Sequence, residues 1–122
     1  MYRLSVTSHF SAAHNLRGFK GRCEALHGHN WKVELTVKGH ELDETGLVMD
    51  FGELKRLLGQ VLETLDHTYL NKLAHFQQIN PSSELIARYI HDRLAPMLPA
   101  GVKIEEVAVW ESPGSRAAYI PS

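Results

Sequence analysis

The sequence predicts one α+β domain in which an antiparallel four-stranded sheet carries two helices on one face, in the order ββααββ. Three observations predict it: two alternating apolar/polar segments early in the chain, two segments of helical period in the middle, and two short alternating segments at the end. The 122 residues suffice for a single domain, 1–122, and contain no repeat, linker or low-complexity tract. Lys and Arg number 13 against 14 Asp and Glu, and they are scattered, so no basic footprint for nucleic acid exists. No apolar run reaches membrane-spanning length, and "MYRLSVTSHFSAAH" lacks the layout of a signal peptide. A cytoplasmic protein with a small-molecule partner is expected, and its one cysteine cannot form an internal disulfide.

Taken in order, "YRLSVTSHF" places Tyr2, Leu4, Val6 and Phe10 on one parity and Arg3, Ser5 and Thr7 on the other, the period of a half-buried strand. "WKVELTVK" repeats the pattern, with Trp31, Val33, Leu35 and Val37 alternating with Lys32, Glu34, Thr36 and Lys38. The two should pair across the long connection "NLRGFKGRCEAL". From Asp50, an available N-cap, the residues Phe51, Leu54, Leu57, Leu58, Val61, Leu62 and Leu65 recur at helical spacing. A second helix is expected from "NPSSELIARYI", with Asn80 as cap, Pro81 in the first helical position and a stripe through Leu85, Ile86, Tyr89, Ile90 and Leu94. Pro96 and "LPAG" end it, and "KIEEVAVWE" and "AAYI" read as strands around the turn "SPGS". A small sheet with two open edges invites pairing with neighbouring subunits, so an oligomer is expected.

The stretch "CEALHGHN" gathers Cys23, an acid, His27 and His29. His27 and His29 share the parity of Trp31, so a strand extended back through them sends both imidazoles from one face, about 6 to 7 Å apart at Cα. His14, at the far end of the first strand, would lie alongside. Three imidazoles with one open position describe a catalytic zinc site; a satisfied interior His14 beside two solvated histidines fits the spacing equally. Cys23 as a fourth ligand ranks lower, because a thiolate would quench the Lewis acidity of an open site. The thiol instead needs a partner that lowers its pKa, and "LDHTYLN" offers His67 beside Asp66, which can meet only across a turn. The alternative there is an acidic helix end followed by an exposed histidine. Glu111 shares the parity of Val107 and Val109, and its carboxylate suits the paired N–H edge of a pterin or guanine, or else simply sits hydrated at the sheet edge.

In order and across nearly the whole chain, "FSAAH", "CEALHGHN", "GLVMDFGELK", "LDHTYLN", "NPSSE" and "VWESPGSRAAY" resemble the 6-pyruvoyltetrahydropterin synthase family. The three residues between Cys23 and the "HGH" block resemble its 6-carboxytetrahydropterin synthase branch, of queuosine biosynthesis; biopterin-type members place that cysteine further upstream. The resemblance implies Zn2+ on His14, His27 and His29, a catalytic thiol at Cys23, a proton relay at Asp66 and His67, and a pterin anchor at Glu111. It also implies pterin contacts at Ser82 and Ser83, where the family often has threonine. The implied fold is the T-fold, two hairpins and two helices assembled into barrels, commonly hexamers with active sites between subunits. The implied reaction converts 7,8-dihydroneopterin triphosphate to 6-carboxy-5,6,7,8-tetrahydropterin with loss of acetaldehyde and triphosphate. A pyruvoyl-forming synthase that only eliminates triphosphate is the runner-up, and a non-catalytic zinc- or pterin-binding module is a third reading that would not need Cys23, Asp66 and His67 together. Lys20, Arg22 and Arg116 are candidates for gripping the triphosphate by charge alone.

Overall fold

The alternating segments form a long hairpin: β1 (Tyr2–His14) pairs with β2 (His27–Gly39) without a break, from Tyr2 opposite Gly39 to His14 opposite His27. The computed structural model describes residues 1–21 and 24–122. The helix α1 (Phe51–Glu63) follows, with the Asp50 side chain accepting from the Glu53 N–H as a cap. After it come β3 (Thr68–Tyr69), two short 3-10 turns, α2 (Ser83–Leu94), β4 (Lys103–Ser112) and β5 (Ser115–Tyr119). Inward residues of β1 (Val6, Phe10, Ala12) and β2 (Trp31, Val33, Leu35, Val37) share one core with the stripes of both helices. Each such large side chain, fully buried, stabilises by about 1.5–3 kcal/mol.

Three expectations need correction. Among the described residues the sheet has five strands in the order β3-β1-β2-β4-β5 and is mixed rather than purely antiparallel, because β3 runs parallel to β1 opposite Ala12 and Ala13. Two residues leaving a helix end carry no period that a sequence pattern can register. The cap of α2 is Ser82, which accepts from the Leu85 N–H; Asn80 and Pro81 lie outside the helix, with Asn80 bonded to Arg17. Three capping-type residues, Asn80, Ser82 and Ser83, flank one proline here, and long-range bonding of Asn80 decides among them. Finally, β5 starts at Ser115, two residues before the "AAYI" segment.

A bulge explains why β4 breaks its alternation. Thr36 faces Glu106 while Val37 faces Ile104, so Glu105 is an extra residue, and Ile104 can point inward with Val107 and Val109 despite its opposite parity. A second register shift separates Trp110, opposite Arg116, from Ser112, opposite Ser115. Glu111 sits in that shift. Among the described residues no helix is long and apolar enough to cross a membrane.

Candidate metal centre

The last rungs of the β1–β2 ladder bring the three histidines together. His14 is opposite His27, and Ala12 is opposite His29. Because His14 continues the inward parity of Phe10 and Ala12, and His27 and His29 that of Trp31, all three imidazoles leave the same face. Their ring centroids lie 4.6 Å (His14–His27), 4.7 Å (His27–His29) and 5.5 Å (His14–His29) apart. Trp31, wholly buried, supports them from the core side: its ring meets His14 at 4.9 Å and His29 at 5.4 Å, and its indole N–H donates to the Ala12 carbonyl at 3.2 Å.

Two backbone carbonyls set the chemistry of the rings. His14 Nδ1 lies 2.7 Å from the Pro81 carbonyl oxygen, and His27 Nδ1 lies 2.8 Å from that of Ala25. A carbonyl can only accept, so each Nδ1 carries a proton, and Nε2 is the nitrogen that each ring presents to the cluster as a ligand atom. Burial, more than any neighbouring charge, holds His29 below the ordinary histidine value of 6.5, which keeps it neutral at pH 7 against the pull of Glu111. His14 is 2 % exposed, and among the described residues the Nε2 atoms of His14 and His29 are buried without a hydrogen-bond partner. Such orphaned atoms cost about 1–3 kcal/mol each unless something satisfies them.

Glu111 reaches the same point from the register shift in β4, a position where bulges commonly re-aim a side chain. Its Oε1 lies 3.0 Å from His29 Nε2, unaligned for a hydrogen bond, and 3.7 Å from the Nε2 atoms of both His14 and His27. The four ligand atoms all lie within 4.8 Å of one another. Three imidazole nitrogens and one carboxylate oxygen suit a divalent transition metal, and the orphaned Nε2 atoms are what such an ion would satisfy.

The Asp66–His67 pair forms as the turn argument requires. His67 takes a positive φ of 56°, uncommon for a non-glycine residue, just beyond the end of α1. Its Nδ1 is 3.0 Å from Asp66 Oδ2, while Asp66 Oδ1 accepts from the Ser11 N–H at 2.8 Å. That N–H, with the His67 ring second, holds the Asp66 carboxyl below the usual aspartate range. The His67 side chain is 82 % exposed and does not enter the cluster; an open groove of about 380 Å³ that includes Ser11, Gly28, His29 and His67 lies between them. Asp66→Asn should therefore reveal itself in acid. A depressed carboxyl stabilises the fold above the ordinary value of 3.8 and loses that contribution as pH falls through the depressed one. Thermal melting from pH 6 to pH 2 is expected to show a shallower acid decline in the variant; identical curves would contradict the role of the Ser11 contact.

The other sequence candidates are more scattered. Ser82 uses its hydroxyl as the helix cap and Ser83 opens α2. Arg116 donates to Glu106 and lies over the Trp110 ring, and Lys20 stands over Phe19 in the connection between β1 and β2. Cys23 and Arg22 lie outside the described residues. The acid of the "CEALHGHN" motif, Glu24, has no role assigned from the sequence, yet its Oε1 lies 3.8 Å from His27 Nε2. Its three-residue spacing from His27 within the quoted motif was the available signal. The two carbonyl partners left no trace, since no side-chain pattern marks them.

The family profile described as 6-pyruvoyl tetrahydropterin synthase matches residues 3–122. The chain belongs to that family. Within the 6-pyruvoyl tetrahydropterin synthase family, it is 39% identical to the 6-carboxy-5,6,7,8-tetrahydropterin synthase of Synechocystis sp., over 90% of this chain and 86% of that one. It is 37% identical to the dihydroneopterin monophosphate aldolase of Pyrococcus furiosus, over 89% of each chain. The fold is that of the 6-pyruvoyl tetrahydropterin synthase of Caenorhabditis elegans, with a TM-score of 0.84 and 28% identity, covering 99% of this chain and 96% of that one.

Proposed function

We propose that the chain is a zinc-dependent lyase that converts 7,8-dihydroneopterin triphosphate and one water to 6-carboxy-5,6,7,8-tetrahydropterin, releasing acetaldehyde and triphosphate. The observation that carries this reading is the pair of rings locked by the Pro81 and Ala25 carbonyls, so that His14 and His27 offer only Nε2 to a common point beside His29 and Glu111. His14, His27 and His29 would hold the ion. When bound, zinc supplies Lewis acidity toward the side-chain hydroxyls of the substrate. Glu111, 38 % exposed, has the charge to receive the paired N–H groups of the pterin edge. Cys23 Sγ exchanges a proton with a side-chain carbon. Asp66 Oδ2, 3.0 Å from His67 Nδ1, would hold a proton on that nitrogen, leaving Nε2 as the atom at which His67 accepts or returns a proton in this reading. Ser82 and Ser83 border the pterin in this reading.

A second reading rests on Glu24, a carboxylate that follows Cys23 in sequence and lies 3.8 Å from a proposed ligand. A base there favours aldol-type cleavage of the same side chain, the class of reaction in the name of the Pyrococcus furiosus relative. Mass analysis of products from dihydroneopterin triphosphate separates the possibilities. Acetaldehyde with a carboxypterin supports the first reading, a pyruvoyl pterin without acetaldehyde points to simple elimination, and a hydroxymethylpterin with a triphosphorylated two-carbon aldehyde points to Glu24. No turnover by the zinc-loaded protein leaves only a binding module. Cys23→Ala is expected to retain zinc and lose 10²–10⁴-fold in turnover, roughly what positioned proton transfer contributes. Wild-type turnover in that variant would reduce the thiol to packing.

The assembly proposed is a closed multimer, most simply a hexamer. Among the described residues the outer edge of β1 pairs with another strand only at Ala12 and Ala13, with the Asp66–His67 turn adding bonds at Ser11, and β5 forms the opposite edge. Light scattering at micromolar concentration is expected to give a multiple of 13.8 kDa; a monomer would remove the basis for sites between subunits.

A further inference from the structure

Beyond His14 the ladder with β2 ends, yet the next three residues keep both backbone groups paired. The Asn15 N–H donates to Asn71 Oδ1 at 3.0 Å and its carbonyl accepts from Asn71 Nδ2 at 2.8 Å. The Arg17 N–H donates to Asn80 Oδ1 at 2.9 Å and its carbonyl accepts from Asn80 Nδ2 at 3.0 Å. Between them, the Leu16 N–H donates to Glu24 Oε1 at 3.2 Å and its carbonyl accepts from the Glu24 N–H at 2.9 Å. Two asparagine amides thus imitate a neighbouring strand on one side, and Glu24 closes the loop on the other. Only a side chain with one acceptor and one donor at its tip can make the two-point contact, and Asn71 is almost wholly buried while making it. The Arg17 guanidinium adds bonds to the Ile79 and Asn71 carbonyls.

We propose that Asn71 and Asn80 are positioning residues, which fix the segment 15–17 and through it hold Glu24, the residue that follows Cys23, at the mouth of the histidine cluster. Neither side chain touches the cluster. Asn80 has a second reach, since it precedes Pro81, whose carbonyl orients His14. The proposal rests on the functional reading in which Cys23 and its neighbourhood carry out proton transfer.

Asn80, half-buried, is the safer test position, because Asn71→Ala leaves a buried gap that can cost the fold. Asn80→Asp retains an acceptor for the Arg17 N–H and sets a second acceptor against the Arg17 carbonyl; Asn80→Ala removes both contacts. Gln77→Ala, an exposed change in the same connection, is the control. Amide hydrogen exchange on the zinc-loaded chain is expected to quicken about 5–10-fold at Arg17 and also at Glu24 in both Asn80 variants, and not in the control. Turnover of dihydroneopterin triphosphate should fall on the order of 10²-fold in kcat with KM little changed, as for a misplaced reacting group. Faster exchange at Arg17 with unchanged exchange at Glu24, or faster exchange at both with wild-type kcat, overturns the proposal. If the wild-type chain does not turn over at all, the functional reading fails separately, and exchange at Glu24 alone then decides whether the amides order the loop.

Discussion

A chain carrying His27→Ala is expected to keep its fold and lose most of its metal. His27 is the first residue of β2 and about one-third exposed, at the end of the ladder farthest from the Gly39 rung, so its removal opens no core cavity. Its contribution to the cluster is larger. With the Ala25 carbonyl fixing Nδ1, its Nε2 is pre-aimed, and losing a pre-aimed ligand exceeds the 10–100-fold penalty typical of losing only an outer partner, so a drop on the order of 10²-fold or more is expected. Elemental analysis and chelator competition measure the metal, and circular dichroism the fold. Undiminished zinc in the variant would remove the three-histidine site; a collapsed fold would show that His27 is structural instead. Activity should disappear with the metal.

Trp31→Ala is expected to cost about 3–5 kcal/mol in urea unfolding, the range for deleting a large buried aromatic. Trp31 is wholly buried, stacks against Phe10 at 5.7 Å and donates its indole N–H to the Ala12 carbonyl. It is also the surface on which His14 and His29 rest, so the variant should bind metal about 10–100-fold more weakly even where it remains folded. Trp31→Phe, which keeps most of the apolar bulk, should cost less on both counts. Equal metal affinity in wild type and Trp31→Ala would mean that the core and the cluster are independent.

What could be read in advance follows from range. The alternation in β1, β2 and the stripe of α1 are local, and burial of one face forces a single outcome for each. The three histidines were legible because strand parity places His27 and His29 on the side of Trp31, and a hairpin brings His14 opposite. Glu111 was legible as inward-facing, but its approach to the imidazoles depends on a register shift opposite Ser115 and Arg116, which no pattern in "VAVWE" announces. The two-residue β3 and the amide contacts of Asn71 and Asn80 join positions more than fifty residues apart, beyond any local signal. From sequence Asn80 reads as a helix cap, because its chemistry is the same in both roles.

The distances along the chain between the parts of the metal centre also order events in time. At a synthesis rate of about 5–20 residues per second, a nascent chain exposes His14, His27 and His29 within seconds of one another. The carbonyl that fixes the His14 tautomer belongs to Pro81, and the carboxylate that joins the rings belongs to Glu111, in the hairpin made last. An ion caught by the emerging N-terminal hairpin would meet rings still free to turn, and would exchange readily with the surrounding pool. Durable metallation then follows the later segments, so a truncated chain that ends before Pro81 would carry the histidines, lack the carbonyl that orients His14, and hold the ion less firmly.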